Sequence, residues 1–195
     1  RQLAKVVGIT YAILVFMTTV AFWMVGMSGF DAICHAFGAI STGGFSNYDA
    51  SIGYFNNVGI EIVAMVGMLA GSLPMILYYQ LMKGNAESFL MNSQVRWFLL
   101  IILLSSLTLA FWRSWHGEVA FGEALRHSAF HVISVISTTG FVSTDYNAWG
   151  TAAVMFFFII TSIGGCTGST TGGIKIFRFQ ILYESAIAQM RRLIQ

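Results

Sequence analysis

Ile40-Ser41-Thr42-Gly43-Gly44-Phe45 returns 96 positions later as Ile136-Ser137-Thr138-Thr139-Gly140-Phe141, and the same offset lays His35 on His131 and Asp49 on Asp145. The chain is therefore built twice. In each copy a short stretch with helical apolar spacing leads into hydroxyl and glycine residues, then an acidic position, then a long apolar run. That order predicts a re-entrant loop: a half-helix enters a membrane, an extended Thr/Gly strand climbs back, and a spanning helix follows.

Composition sets the same frame. Of 195 residues 56% are hydrophobic and 9% charged, and the mean hydropathy is +0.74, far from soluble globular averages. The predicted class is an all-α membrane protein. Val6 to Met27, Tyr54 to Met82, Trp97 to Trp112 and Ala148 to Tyr183 approach the roughly 20 apolar residues that a span requires. Phe30 to Ile40 and Phe121 to Ile136 are half-length pieces that precede the repeated motifs.

With the N-terminus inside, eight of the ten basic residues (Arg1, Lys5, Lys83, Arg96, Lys175, Arg178, Arg191 and Arg192) fall on the inner side, leaving Arg113 and Arg126 outside. Asp31, Asp49, Glu118, Glu123 and Asp145 fall outside, where they attract cations. Cys34 and Cys166 lie in different repeats at membrane depth, and no disulfide is expected. The chain starts at Arg1 without an initiator methionine, so a fragment of a longer protein is expected.

The first unit is read as residues 1–84 and the second as 85–195. Phe30 to Ile40 covers about half the hydrocarbon at about 1.5 Å per residue and must turn back. The carbonyl end of its dipole then favours a cation. Gly43 and Gly44 permit backbone angles that a branched residue resists, and unpaired backbone at that depth is tolerated only where it lines a cavity. Asp49 and Asp145 are the outer-mouth acids. Glu61, an intramembrane acid, reads equally as part of an ion path or as a paired interfacial residue. Pro74 predicts a bend in the span that contains it. Gly164, Gly165, Cys166, Thr167, Gly168, Ser169, Thr170, Thr171, Gly172 and Gly173 cannot hold a regular helix in lipid. They predict a loop inside the protein, roughly 16 residues of helix or about 24 Å of path below the second Thr/Gly strand. The offset places Pro74 opposite Thr170, so one repeat is expected to bend where the other unwinds.

Ser41 to Phe55, Ser137 to Tyr146 and Gly164 to Arg178 resemble the Trk/Ktr/HKT superfamily of potassium-translocating membrane subunits, nearest its TrkH branch, over essentially the whole chain. The resemblance implies repeats of helix, pore loop and helix around one potassium-channel-like pore, with a broken last helix. It implies that Thr42, Gly43, Gly44 and Phe45 form one filter strand and Thr138, Thr139, Gly140 and Phe141 another, binding K+ through backbone carbonyls. It makes 164–173 an intramembrane gating loop. The family has four repeats per chain, and two are found here, resembling the second and third; truncation is the expected reason. Also implied are a bacterial inner-membrane location, lipid contact, a homodimer of the full-length form and a cytosolic nucleotide-binding regulatory subunit of the TrkA type. No catalysis, no cofactor beyond K+ as the transported ion, and no nucleic-acid partner are expected.

Other chemistry is weighed beside this. GSTTGGIK approaches a phosphate-binding loop, but Ile174 separates Gly173 from Lys175 and Ile176 stands where Ser or Thr would hold magnesium. His127 and His131, four apart on one helix face, fit a metal or haem edge in a membrane redox protein, or packing and an outer-mouth hydrogen bond. Lys175 and Arg178 read as an inner-pore charge or as cytoplasmic snorkels.

Overall fold

The computed structural model describes residues 2–85, 87–117 and 119–194; Arg1 and Glu118, placed inside and outside by the charge pattern, lie outside the described residues. Helix α1 (Gln2–Met24) is followed by the half-helix α2 (Gly29–Ile40), and a 3-10 turn (Ser51–Phe55) leads into α3 (Val58–Ser72) and α4 (Met75–Met82). After the short α5 (Glu87–Leu90), the order recurs as α6 (Ser93–Trp115), the half-helix α7 (Phe121–Ile136), a 3-10 turn (Tyr146–Trp149), α8 (Thr151–Ile160) and α9 (Ile176–Ile194). Apart from one isolated bridge, Ile163 to Ile174, the ordered backbone of the described residues is helical.

Among the described residues, α1 from Ala4 and α6 are long and apolar enough to cross a membrane, and α3 with α4 qualifies as a broken span bent by 96°. The third apolar segment is longer than Trp97 to Trp112 predicted. Its polar start, Ser93 to Arg96, joins the helix because the Asn92 side chain caps it, accepting from the Gln94 and Val95 N–H groups. The bend is the one expected at Pro74: Leu73 before it is extended, with ψ 156°, as steric conflict with a proline ring demands.

Small residues decide how closely the first unit packs. Ala32, Ala36 and Ala39 on α2 are fully buried. A Cβ at Gly67 would lie 3.1 Å from the Ala39 methyl, and one at Gly71 2.5 Å from the Ile40 carbonyl oxygen, so only glycine lets α3 approach α2 this closely. In the second unit α6 lies along α7, with Phe98, Phe130, Val132 and Ile136 fully buried.

The units are joined where α3 meets α7. Arg126 on α7 pairs with Glu61 on α3 at 2.5 Å, the acid side chain being only 7% exposed. This settles Glu61 as a paired group, and Arg126 as its partner. Replacing Arg126 by alanine leaves a buried carboxylate without its cation, which costs about 2–3 kcal/mol. The Arg126→Ala protein is expected to unfold at a lower temperature in detergent, with Glu61→Gln added to Arg126→Ala recovering part of the loss.

Candidate functional site

Both half-helices end in the same cap. The Gly38 carbonyl accepts the N–H groups of Gly43 at 2.9 Å and Gly44 at 3.2 Å, and the Ser134 carbonyl accepts those of Thr139 at 3.0 Å and Gly140 at 3.2 Å. Thr42 (φ 54°) and Thr138 (φ 57°) make the turn in the left-handed region. A β-branched residue rarely adopts that conformation, and such strain gathers at functional sites. Gly44 (φ 67°) and Gly140 (φ 85°) are left-handed too. The strand N–H groups are thus turned back onto the half-helices. Among the described residues, the carbonyl oxygens of Thr42, Gly43, Gly44, Thr138, Thr139 and Gly140 accept no hydrogen bond.

The phenylalanines that follow behave differently. The Phe141 carbonyl is taken by the Ser134 hydroxyl at 2.6 Å, and its ring is 1% exposed, packed toward α2 beside Gly38 and His35. Phe45 is 82% exposed. The two strands lie side by side: a Cβ on Gly44 would overlap the Thr139 carbonyl oxygen, whereas one on Gly140 would meet nothing.

The Gly-rich loop extends from Thr161 to Lys175, wider than residues 164–173. It sits against the strands: the Gly172 N–H donates to Thr138 Oγ1 at 2.7 Å, and Thr42 Oγ1 donates to Thr170 Oγ1 at 3.3 Å. The expected helical separation of about 24 Å is corrected, because α8 has only ten residues, about 15 Å. Thr170 fills the break between α3 and α4, its one hydroxyl proton shared between the Ile40 carbonyl at 2.9 Å and the Gly71 carbonyl at 3.0 Å. Cys166 N–H reaches the Ser72 carbonyl at 3.0 Å, and both cysteines are free.

Lys175 is no snorkel. Its ammonium folds into the loop and donates to the Thr171 carbonyl, to Thr171 Oγ1 at 2.8 Å and to Ser169 Oγ at 3.3 Å. Arg178 is exposed on the first turn of α9. Asp49 is exposed, and Asp145 caps the turn after the second strand, accepting from the Asn147 N–H at 3.0 Å.

Asp31 is not an unengaged outer acid. Its carboxylate accepts from Ser28 Oγ at 2.7 Å, Asn47 Nδ2 at 2.9 Å and Tyr48 OH at 3.1 Å, tying the segment beyond the first strand to the start of α2. Ser28-x-x-Asp31 is a capping-box pattern and was the available sequence signal. His127 lies 3.2 Å from the Arg126 guanidinium and 3.5 Å from Ser143 Oγ. Among the described residues, no three His, Cys, Asp or Glu side chains gather to hold a metal.

A family model described as TrkH, cation transport protein, matches residues 2–195. The chain is 41% identical to the Trk system potassium uptake protein TrkI of Halomonas elongata, over 98% of this chain and 39% of that protein. It is 34% identical to the Trk system potassium uptake protein TrkG of Escherichia coli, over 97% and 39% respectively. The crystal structure of the potassium transporter TrkH from Vibrio parahaemolyticus superposes with a TM-score of 0.93 at 30% identity, covering 99% of this chain and 42% of that one. The chain thus spans about two fifths of the length of these relatives.

Hydrogen bonds from Asn47 and Ser28 hold the Asp31 carboxyl below the usual carboxylate range. A group whose folded-state pKa is depressed stabilises above its unfolded value of about 3.9 and loses that contribution as pH falls through the folded value. Thermal midpoints of the native protein and Asp31→Asn are therefore expected to differ at pH 7 and to converge as the pH drops below about 4.

Proposed function

The chain belongs to the TrkH family of cation transport proteins, and from that premise we propose that it forms part of a potassium uptake pore in the bacterial inner membrane. Its two Thr/Gly strands are the filter. The observation that carries this is the set of six strand carbonyls left without hydrogen-bond partners among the described residues, at the C-terminal ends of two half-helices. An unpartnered carbonyl at membrane depth costs several kcal/mol. A dehydrated cation takes that place, and the helix dipoles favour it. No covalent step is required, so the protein transports and does not catalyse.

The edges of the pair support a reading of what completes the ring. Phe141 packs behind the first half-helix and Gly44 meets the carbonyl of Thr139, while Phe45 and Gly140 face open space. The same relation applied again brings one further unit's phenylalanine and strand carbonyl to Gly140 and another unit's half-helix and glycine to Phe45, a head-to-tail arrangement that closes into a ring. The residues assigned to the filter are Thr42 to Phe45 and Thr138 to Phe141, with the carbonyls of 42–44 and 138–140 as K+ ligands. The loop 164–173, seated directly beneath them, is the gate, and Lys175 holds its fold. The full-length protein is a homodimer regulated by a cytosolic nucleotide-binding subunit of the TrkA type.

A potassium-uptake-deficient bacterium carrying the full-length protein is expected to grow at limiting potassium, and its Gly140→Arg variant is not. Equal growth of the two would remove residues 137–141 from the conduction path.

A further inference from the structure

Each half-helix carries a buried histidine that the conduction pathway does not use. His35 is 0% exposed and His131 1%. Both reach across to the segment leaving their own Thr/Gly strand. His35 Nδ1 lies 2.7 Å from the Asp31 carbonyl oxygen. That oxygen can only accept, so Nδ1 carries the proton and Nε2 is the acceptor. Ser46 Oγ, 2.9 Å away, donates to Nε2 and itself accepts the Tyr48 N–H at 3.2 Å. His131 Nε2 is approached by the Thr144 N–H at 3.4 Å, Thr144 Oγ1 at 3.2 Å and Ser143 Oγ at 3.4 Å, and is likewise an acceptor.

The two contacts are not copies residue for residue. The nearest hydroxyl lies 11 positions beyond His35 but 13 beyond His131, with a second at 12. The repeat offset places Val142 opposite Ser46, and valine offers no hydroxyl. The contact is made all the same, from Thr144. Repeat descent keeps the histidine; it does not explain a hydroxyl regained at a new position. Aromatic edges enclose both rings, from Phe22 and Phe55 around His35 and from Tyr146, Trp149 and Phe157 around His131, so neither imidazole can swing away without disturbing the packing.

We propose that His35 and His131 are positioning residues for ion selection. Each fixes the outer end of its Thr/Gly strand to the half-helix behind it, and so sets the spacing that the strand carbonyls present to a dehydrated ion. This rests on the reading of those strands as the filter. With the strand held, the carbonyls resist closing around a smaller cation; with it loose, they adapt, and discrimination falls while permeation continues.

The test compares potassium and sodium uptake by the full-length protein in cells lacking other potassium uptake. His35→Ala and His131→Ala are each expected to lower the preference for potassium by about fivefold, the weight of one net hydrogen bond, at an unchanged amount of protein in the membrane. Ser46→Ala and the double variant Ser143→Ala/Thr144→Val remove only the partner hydroxyls and should move the ratio in the same direction. An unchanged ratio in histidine variants that reach the membrane overturns the proposal. Should those variants fail to accumulate, the hydroxyl variants decide, and an unchanged ratio in both overturns it equally. Potassium uptake that survives in Gly140→Arg would overturn the filter reading instead.

Discussion

A helix broken inside a membrane leaves backbone groups that water cannot reach, and this protein breaks two helices at one level so that each serves the other. At the α3/α4 bend the Met75 N–H, which would close a helical bond onto Gly71, donates to the Gly168 carbonyl at 3.0 Å instead. The freed Gly71 carbonyl accepts the Thr170 N–H at 3.1 Å and the Thr170 hydroxyl, and the Ser72 carbonyl accepts from Cys166. Neither break is tolerable alone. Together they form a seat that also touches the Thr/Gly strands through Thr170 and Gly172. That seat ties the carbonyls of α3 to the bases of both strands through Thr42 and Thr138.

How far this was legible depended on whether a feature was set by local chain chemistry or by distant partners. The half-helices were readable because a stretch too short to cross must turn back, and α7 begins and ends at the predicted residues. Pro74 announced its bend, since its ring excludes helical geometry from the residue before it. The loop was readable as unwound but not in its placement, because the apolar run up to Ile163 is longer than the ten residues that α8 keeps helical, and the seat on α3 is made by residues about a hundred positions away. Lys175 stayed open between two readings for a related reason. Positive-inside placement explains a lysine at a membrane edge without any contact, and only the folded loop shows three oxygen atoms converging on its ammonium. Glu61 stayed ambiguous in the sequence because its partner Arg126 is 65 residues away.

The two units share a skeleton and differ in the side chains that secure it. Gly38 and Ser134 occupy the same place in their half-helices. At Gly38 a side chain would strike the Phe45 carbonyl and the Phe141 ring, while at Ser134 the hydroxyl is what holds the Phe141 carbonyl. Asp31 and His127 are likewise equivalent: the first gathers three donors onto a carboxylate, the second faces Arg126 and Ser143. Pro74 and Thr170 are the third such pair, one breaking a helix by geometry and the other supplying the bonds that the break requires. What is kept in each case is the course of the backbone: a left-handed threonine, two N–H groups on one helical carbonyl, and strand carbonyls left open. A surface made of backbone leaves side chains free to diverge, provided the backbone beneath it stays where it is. That requirement explains why the supporting contacts of the two strands differ in chemistry while their caps do not.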